Sequence, residues 1–143
     1  MSETPLDRVL ARAAARVTRL APREAYRAQA AGAVIVDMRS SDDRARTGVI
    51  PGSVHIPRTV LEWRLDPGGA WRTPHVSVGD RLVLVCSDGC SSLLAAESLV
   101  ELCLDAADVE GGVAAWEDAG LPLVAATPPQ DGMRPGTGPP EPR

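Results

Sequence analysis

The chain has 143 residues, which suits one domain of ordinary size with one buried core and leaves no room for a second. Its net charge of -4 and pI near 5.1, with acids and bases interleaved, exclude a basic stripe for nucleic acid, and no apolar run approaches the roughly 18 residues of a membrane span. Hydrophobic residues reach 44% but aromatics only 3%, so the core has to be assembled from Ala, Val and Leu.

Leu6, Val9, Leu10, Ala13, Ala14 and Val17 recur at three and four, with Arg8, Arg12 and Arg16 on another face. This predicts an amphipathic helix in 1–17 packed on the domain. The stretch is charged and has no continuous apolar segment of a secretory signal, so a cytoplasmic location is expected. Val17–Leu20 reads as a short strand. Pro22 then opens a helix from Arg23 to Ala31 that Gly32 closes. Ala33-Val34-Ile35-Val36 is a continuous apolar run ending in Asp37, the pattern of a parallel strand buried on both faces. Ser40 or Ser41 caps a short helix to Thr47, with Asp42 and Asp43 in its first turn where carboxylates suit the dipole. Ser53–Ile56 is a short strand stopped by Pro57. Thr59–Leu65 reads as a short helix, and 66–80, rich in Gly and Pro, as a loop.

Arg81–Val85 is the next strand and Ser92 to about Leu102 the next helix. Between them lies Cys86-Ser87-Asp88-Gly89-Cys90-Ser91. A strand feeding a short loop into a helix aims free N–H groups, and the positive end of the helix dipole, at whatever the loop encloses. The first side chain there is a thiol, so the geometry favours a thiolate with a pKa below the free value of about 8.5. Cys86 is therefore a candidate nucleophile; the alternative is a small buried cysteine at a strand end. Three cysteines, an odd number without disulfide density, fit a reducing compartment. Ala107–Val109 is the last strand, Gly111-Gly112 turns into a helix through Ala119, and Leu121–Val124 closes the fold. The Pro/Gly-rich 125–143 has little to bury and is expected to be disordered. Strands and helices alternate as in an α/β domain with a mostly parallel sheet, whose site lies off the carboxyl ends of the strands. Asp37 and Cys86 both stand at such ends.

Three motifs then carry a resemblance. Val34-Ile35-Val36-Asp37-Met38-Arg39 is similar to an apolar strand followed by Asp-x-Arg. The stretch from Gly48 to Pro57 is similar to a Gly-His-Ile-Pro-Gly-Ala segment, with Val49 in place of its His. Cys86 with Gly89, a Ser-rich helix start and Gly111-Gly112-Val113-Ala114-Ala115-Trp116 completes the set. The chain resembles the single-domain rhodanese-like sulfurtransferases over 18–124. The resemblance implies a five-stranded, mostly parallel sheet flanked by helices on both faces. It makes Cys86 the residue that takes sulfane sulfur from a small-molecule or protein-bound donor, holds it as a persulfide and hands it to a thiol acceptor. It implies no cofactor and no metal; charge and run length already speak against nucleic acid and membrane, and the oligomeric state is left open. The family often ends this loop with Arg, where the chain has Ser91, and Asp88 adds an acid. Thiosulfate should therefore bind less well, and the expected donor is a persulfide or a carrier protein.

Around Cys86, the loop residues Ser87, Asp88, Gly89, Cys90, Ser91 and Ser92 are the expected site. Cys90 is either a redox partner for Cys86 or a loop filler. Ser91 and Ser92 are expected to cap the helix, with donation to the persulfide as the alternative. Asp37 and Arg39 should pair beside the loop, Arg39 fixing backbone carbonyls and Asp37 accepting from loop N–H groups. The segment from Arg58 to Pro67, with Leu61-Glu62-Trp63-Arg64 inside it, is expected to form one wall of the pocket, with Arg58 and Arg64 as sources of the missing positive charge. His55 and His75 have no metal-ligand spacing to a cysteine. Cys103 carries no chemistry, but without a glycine there the helix has to strain or run on. A non-catalytic binding module and a Cys86/Cys90 redox switch are the alternatives to an enzyme.

Overall fold

The computed structural model describes residues 2–126, so most of the tail expected to be disordered lies outside the described residues. The elements are α1 (Pro5–Arg16), β1 (Thr18–Leu20), α2 (Pro22–Ala30), β2 (Val34–Asp37), α3 (Ser41–Thr47), β3 (Val54–His55), a 3-10 turn (Arg58–Val60), α4 (Leu61–Leu65), β4 (Leu82–Val85), α5 (Ser91–Glu101), β5 (Ala106–Val109) and α6 (Gly112–Asp118). The five strands form one sheet in the order β1-β5-β4-β2-β3, every pair parallel. The expected closing segment does not join it as a strand. Val124 instead makes a single antiparallel bridge to Val49, with N to O distances of 2.7 and 2.8 Å.

The sheet is apolar on both faces because its strands alternate between two helical layers. Leu82 and Leu84 face the side of α1, α4 and α5; Val83 and Val85 face the side of α2 and α6. Cys86 continues the first alternation and ends in the same cluster as Leu93 and Ala13. On the other face Trp116 is fully buried, donates Nε1 to Pro122 O at 2.9 Å and meets Tyr26 edge-on at 5.9 Å between centroids. It is the large piece of an otherwise small-residue core.

Local rules explain the element ends. Thr4 and Asp7 close a capping box on α1, and Ser40 caps α3 by accepting from Asp43 N at 3.1 Å. The end of α5 does strain: Cys103 sits at φ 62°, the one non-glycine in that region among the described residues. It occupies the place where a helix ordinarily uses glycine. The segment expected as a helix from Thr59 begins as the 3-10 turn and becomes α only at Leu61.

Truncating the central aromatic should cost about 3–5 kcal/mol. Trp116→Ala is expected to lower the urea midpoint at unchanged slope, the shift multiplied by the slope giving that amount. A loss below about 1 kcal/mol would show that the α2/α6 layer does not depend on it.

Candidate active site

The cysteine loop is built from the backbone outward. After β4 the carbonyls of Cys86 and Ser87 point at the start of α6 and accept from Val113 N at 2.9 Å and Ala114 N at 3.1 Å. This contact has no room for a side chain on α6. A Cβ at Gly112, already at φ +63°, would lie 2.7 Å from Asp88 N, and one at Gly89, at φ +88°, 2.6 Å from Gly111 N. Glycine is therefore required on both sides of the contact. The turn so formed brings Gly89 N to 3.1 Å from Cys86 Sγ, an N–H donating to the sulfur.

Cys86 is buried, and its surroundings decide its charge. Burial pushes the thiol up, but hydrogen bonds from the Ser92 and Ser91 hydroxyls and from the N–H groups of Ser92 and Gly89 outweigh it. The net effect holds the thiol below its ordinary value. The helix does not receive a side-chain cap from these serines, contrary to expectation. Its N-cap position is Cys90, with no side-chain cap bond, and Ser92 Oγ, fully buried, donates to Asp108 Oδ2 at 2.8 Å. The Ser92 hydroxyl is taken by the carboxylate.

Asp88 folds over its own loop, accepting from Cys90 N at 3.1 Å and standing 4.0 Å from Cys86 Sγ. Its charge pushes the exposed Cys90 thiol up, the opposite direction from Cys86. All three cysteines are free. Ser87 and Ser91 are exposed at the loop surface.

The positive charge near the loop comes from a residue that sequence reasoning missed. Arg19 on β1 donates Nη2 to Gly89 O at 2.7 Å, and Nε and Nη2 to the two oxygens of Asp108, each at 3.0 Å. Asp108 is completely buried on β5 and lies beside Arg19 in the sheet register. An acid inside Ala106-Ala107-Asp108-Val109 was the available signal, since a charge on a buried strand has to be paired.

The other expected contributors go elsewhere. Asp37 takes its bonds from Arg39, backbone N at 3.0 Å and guanidinium at 3.0 and 2.8 Å, rather than from the cysteine loop. Arg39 also donates to Thr47 Oγ1 and Gly48 O, and His55 Nε2 lies 2.8 Å from Arg39 O. Arg44 Nε adds a second cation 3.4 Å from Asp37. The Asp-x-Arg motif thus braces β2 against α3. Arg58 pairs with Glu62 at 2.8 and 3.0 Å, and Glu62 accepts from Ser98 on α5. Arg64 is buried and donates to Trp71 O at 2.8 Å, fastening the 66–80 loop. These two arginines are long side chains with nearer partners than the thiolate. The cavity against α4, about 200 Å³, is lined by Glu62, Trp63, Asp66 and Leu102 and includes no loop residue.

Two cavities do border the loop. One of about 270 Å³ runs along Arg39, Arg46, Thr47, Ser87 and Glu117. The other, about 340 Å³ and mostly apolar, lies between α1 and the loop, against Leu10, Ala14, Arg19, Cys90 and Leu93. Among the described residues no helix is long and apolar enough to cross a membrane, and no cluster of His, Cys, Asp and Glu is arranged to hold a metal.

Comparison with known proteins agrees with this architecture. A family profile described as "Rhodanese-like domain" matches residues 21–119. A protein of unknown function from Rhodopseudomonas palustris CGA009, described as a possible tyrosine phosphatase, is 31% identical. The match covers 87% of this chain and 97% of that one at a TM-score of 0.78. A rhodanese-related protein from Thermoplasma volcanium is 26% identical over 76% of this chain and 99% of its own, TM-score 0.62. A polysulfide-sulfur transferase homodimer from Wolinella succinogenes shares the fold at 23% identity, covering 85% and 88%, TM-score 0.67. No curated protein matches.

Because hydrogen bonds lower Cys86 and the Asp88 charge raises Cys90, the two thiols should titrate in opposite directions from an ordinary cysteine. Peptide-resolved iodoacetamide labelling across pH is expected to give a Cys86 midpoint below that of Cys90. The reverse order would contradict the charge assignment.

Proposed function

The chain belongs to the rhodanese-like domain family, and on that footing we propose that it is a sulfurtransferase carrying sulfane sulfur as a persulfide on Cys86. The observation that carries the reading is the donor set around Sγ: Gly89 N–H at 3.1 Å, with the Ser91 and Ser92 hydroxyls lowering the thiol. In the first half-reaction the Cys86 thiolate attacks the outer sulfur of the donor. The Sγ–S bond forms, the donor's own bond to that sulfur breaks, and its electron pair leaves on the donor. In the second, an acceptor thiolate attacks the outer sulfur and Sγ leaves as the thiolate again. The second step returns negative charge to Sγ, where the Gly89 N–H already points, so little reorganisation is needed there.

The partners follow from charge. Position 91 is Ser, Arg19 is committed to Asp108, and Asp88 stands 4.0 Å from the sulfur. A dianion such as thiosulfate meets no free guanidinium in the loop, whereas a small-molecule or carrier-protein persulfide needs none. Phosphoryl transfer, the chemistry suggested for the Rhodopseudomonas relative, calls for a bidentate Arg on the oxyanion, and Ser91 supplies no such fork. A Cys86/Cys90 switch is disfavoured by the raised Cys90 thiol, which is a poor attacker at neutral pH. A reducing, cytoplasmic setting fits a free, activated thiol.

Intact mass after incubation with glutathione persulfide is expected to show +32 Da on the wild type and not on Cys86→Ser. No adduct with any sulfane donor would leave a non-catalytic binding module as the reading. Turnover of thiosulfate faster than of glutathione persulfide would overturn the donor assignment.

A further inference from the structure

The cavity of about 340 Å³ between α1 and the cysteine loop has no part in the sulfur chemistry above. It exists because α1 is seated by one narrow stripe. Ala13 and Val17 are buried in the core cluster that α5 shares, and Arg16 ties the same helix to Glu97 at 3.3 Å and to Glu101. Leu10, Ala11 and Ala14, spaced at three and four, form the neighbouring stripe and line the cavity instead. Two of these three are alanine, so the space is left open.

The walls have one character. Leu93 of α5 lines the cavity with them, and Leu10 packs against the core cluster that holds both Leu93 and Cys86. Gly89 and Cys90 form the side toward the loop, and Gly89 is the residue whose N–H meets Cys86 Sγ at 3.1 Å. The cavity and the sulfur therefore share Gly89 as a wall. The one charged side chain lining the space is Arg19, which turns Nε and Nη2 to the carboxylate of Asp108 and Nη2 to Gly89 O. A charged substituent would lose its hydration there to meet a cation already paired. An apolar one gains by leaving water, and the volume lies at the small end of ligand pockets, roughly 300–1,000 Å³.

We propose that this cavity is a substrate subsite that receives the apolar group of a small alkyl thiol, with the thiol at the Gly89 side next to Cys86. The inference rests on the persulfide reading and names the class of its acceptor. In the transfer, the electron pair of the alkyl thiolate forms the new S–S bond to the outer sulfur. The Sγ–S bond breaks, its pair returns to Sγ, and the outer sulfur leaves as part of an alkyl persulfide. Loading from an alkyl persulfide is the same step reversed, so one subsite serves the alkyl group in both directions.

Straight-chain thiols from ethanethiol to pentanethiol test this, because they differ in apolar area at nearly constant thiol acidity and so attack sulfur with nearly equal intrinsic rates. Protein loaded with glutathione persulfide and freed of the reagent is mixed with each thiol, and loss of the added sulfur is followed by intact mass. The second-order rate should rise about fourfold per methylene, roughly sixtyfold over the series. Ala14→Leu fills the cavity with a residue that suits a helix and should reduce the gain to below about twofold per methylene. A flat series in the wild type overturns the proposal, and so does an unchanged slope in Ala14→Leu. Discharge that only a protein-borne thiol accelerates would make this face a protein contact and overturns it too. Methyl pentyl sulfide, a thioether that cannot accept sulfur, gives a readout that needs no persulfide. Its titration should give saturable shifts of the Leu10 and Leu93 methyl resonances that are lost in Ala14→Leu; their absence in the wild type contradicts the subsite. If no donor yields the +32 Da adduct, the persulfide reading fails and this titration alone decides for or against the cavity.

Discussion

The site depends on a contact between two pieces of backbone. The carbonyls of Cys86 and Ser87 are bound by the first N–H groups of α6, and the peptides approach so closely that Gly112 and Gly89 leave no place for a Cβ. Every other feature of the loop follows from that closure. It turns Gly89 N toward the sulfur, places Ser91 and Ser92 at the start of α5, and leaves Gly89 O where Arg19 can reach it. The sheet supplies the platform, since β4 ends one residue before the cysteine and β5 ends two residues before the glycine pair. A strand alternation that buries Leu82 and Leu84 delivers Cys86 to the same face.

The electrostatics are arranged differently from a loop that carries its own cation. Arg19 reaches the cysteine loop from the sheet edge, and its charge is largely balanced by Asp108. The sulfur therefore draws on neutral donors, N–H and O–H groups, more than on a free guanidinium. Such donors stabilise an anion over a short range and attract no dianion from solution. On the proposed reading, an activated thiolate and weak binding of inorganic anions are compatible for this reason.

Much of this was legible in the chain and some was not. Continuous apolar strands, the Pro22 and Gly32 helix limits and the glycines at 89, 111 and 112 announced the elements, because they act through local conformation. Cys86 was legible because its loop geometry is local too. The Arg19–Asp108 pair was not, since it joins the first strand to the last and no periodicity links positions 89 apart in sequence. Arg58 and Arg64 misled for the converse reason. They lie near the right part of the chain, but α4 and the 66–80 loop offered them closer acceptors. The serines at 91 and 92 matched the composition of a cap, yet the helix begins one residue earlier than their capping would require, with Cys90 at the N-cap, and a buried carboxylate takes the Ser92 hydroxyl.

The pairing of β1 with β5 also bears on how the molecule is made. Chains emerge from the ribosome N-terminus first, and Cys86 leaves well before the residues that finish its surroundings. Asp108, Gly112 and Val113 come later, and Arg19, though synthesised early, has no carboxylate to pair with until β5 arrives beside it. A nascent chain that has released Cys86 but not α6 lacks the N–H groups of Val113 and Ala114 that hold the Cys86 and Ser87 carbonyls. The surroundings of the sulfur are thus complete only when the last strand and α6 are in place.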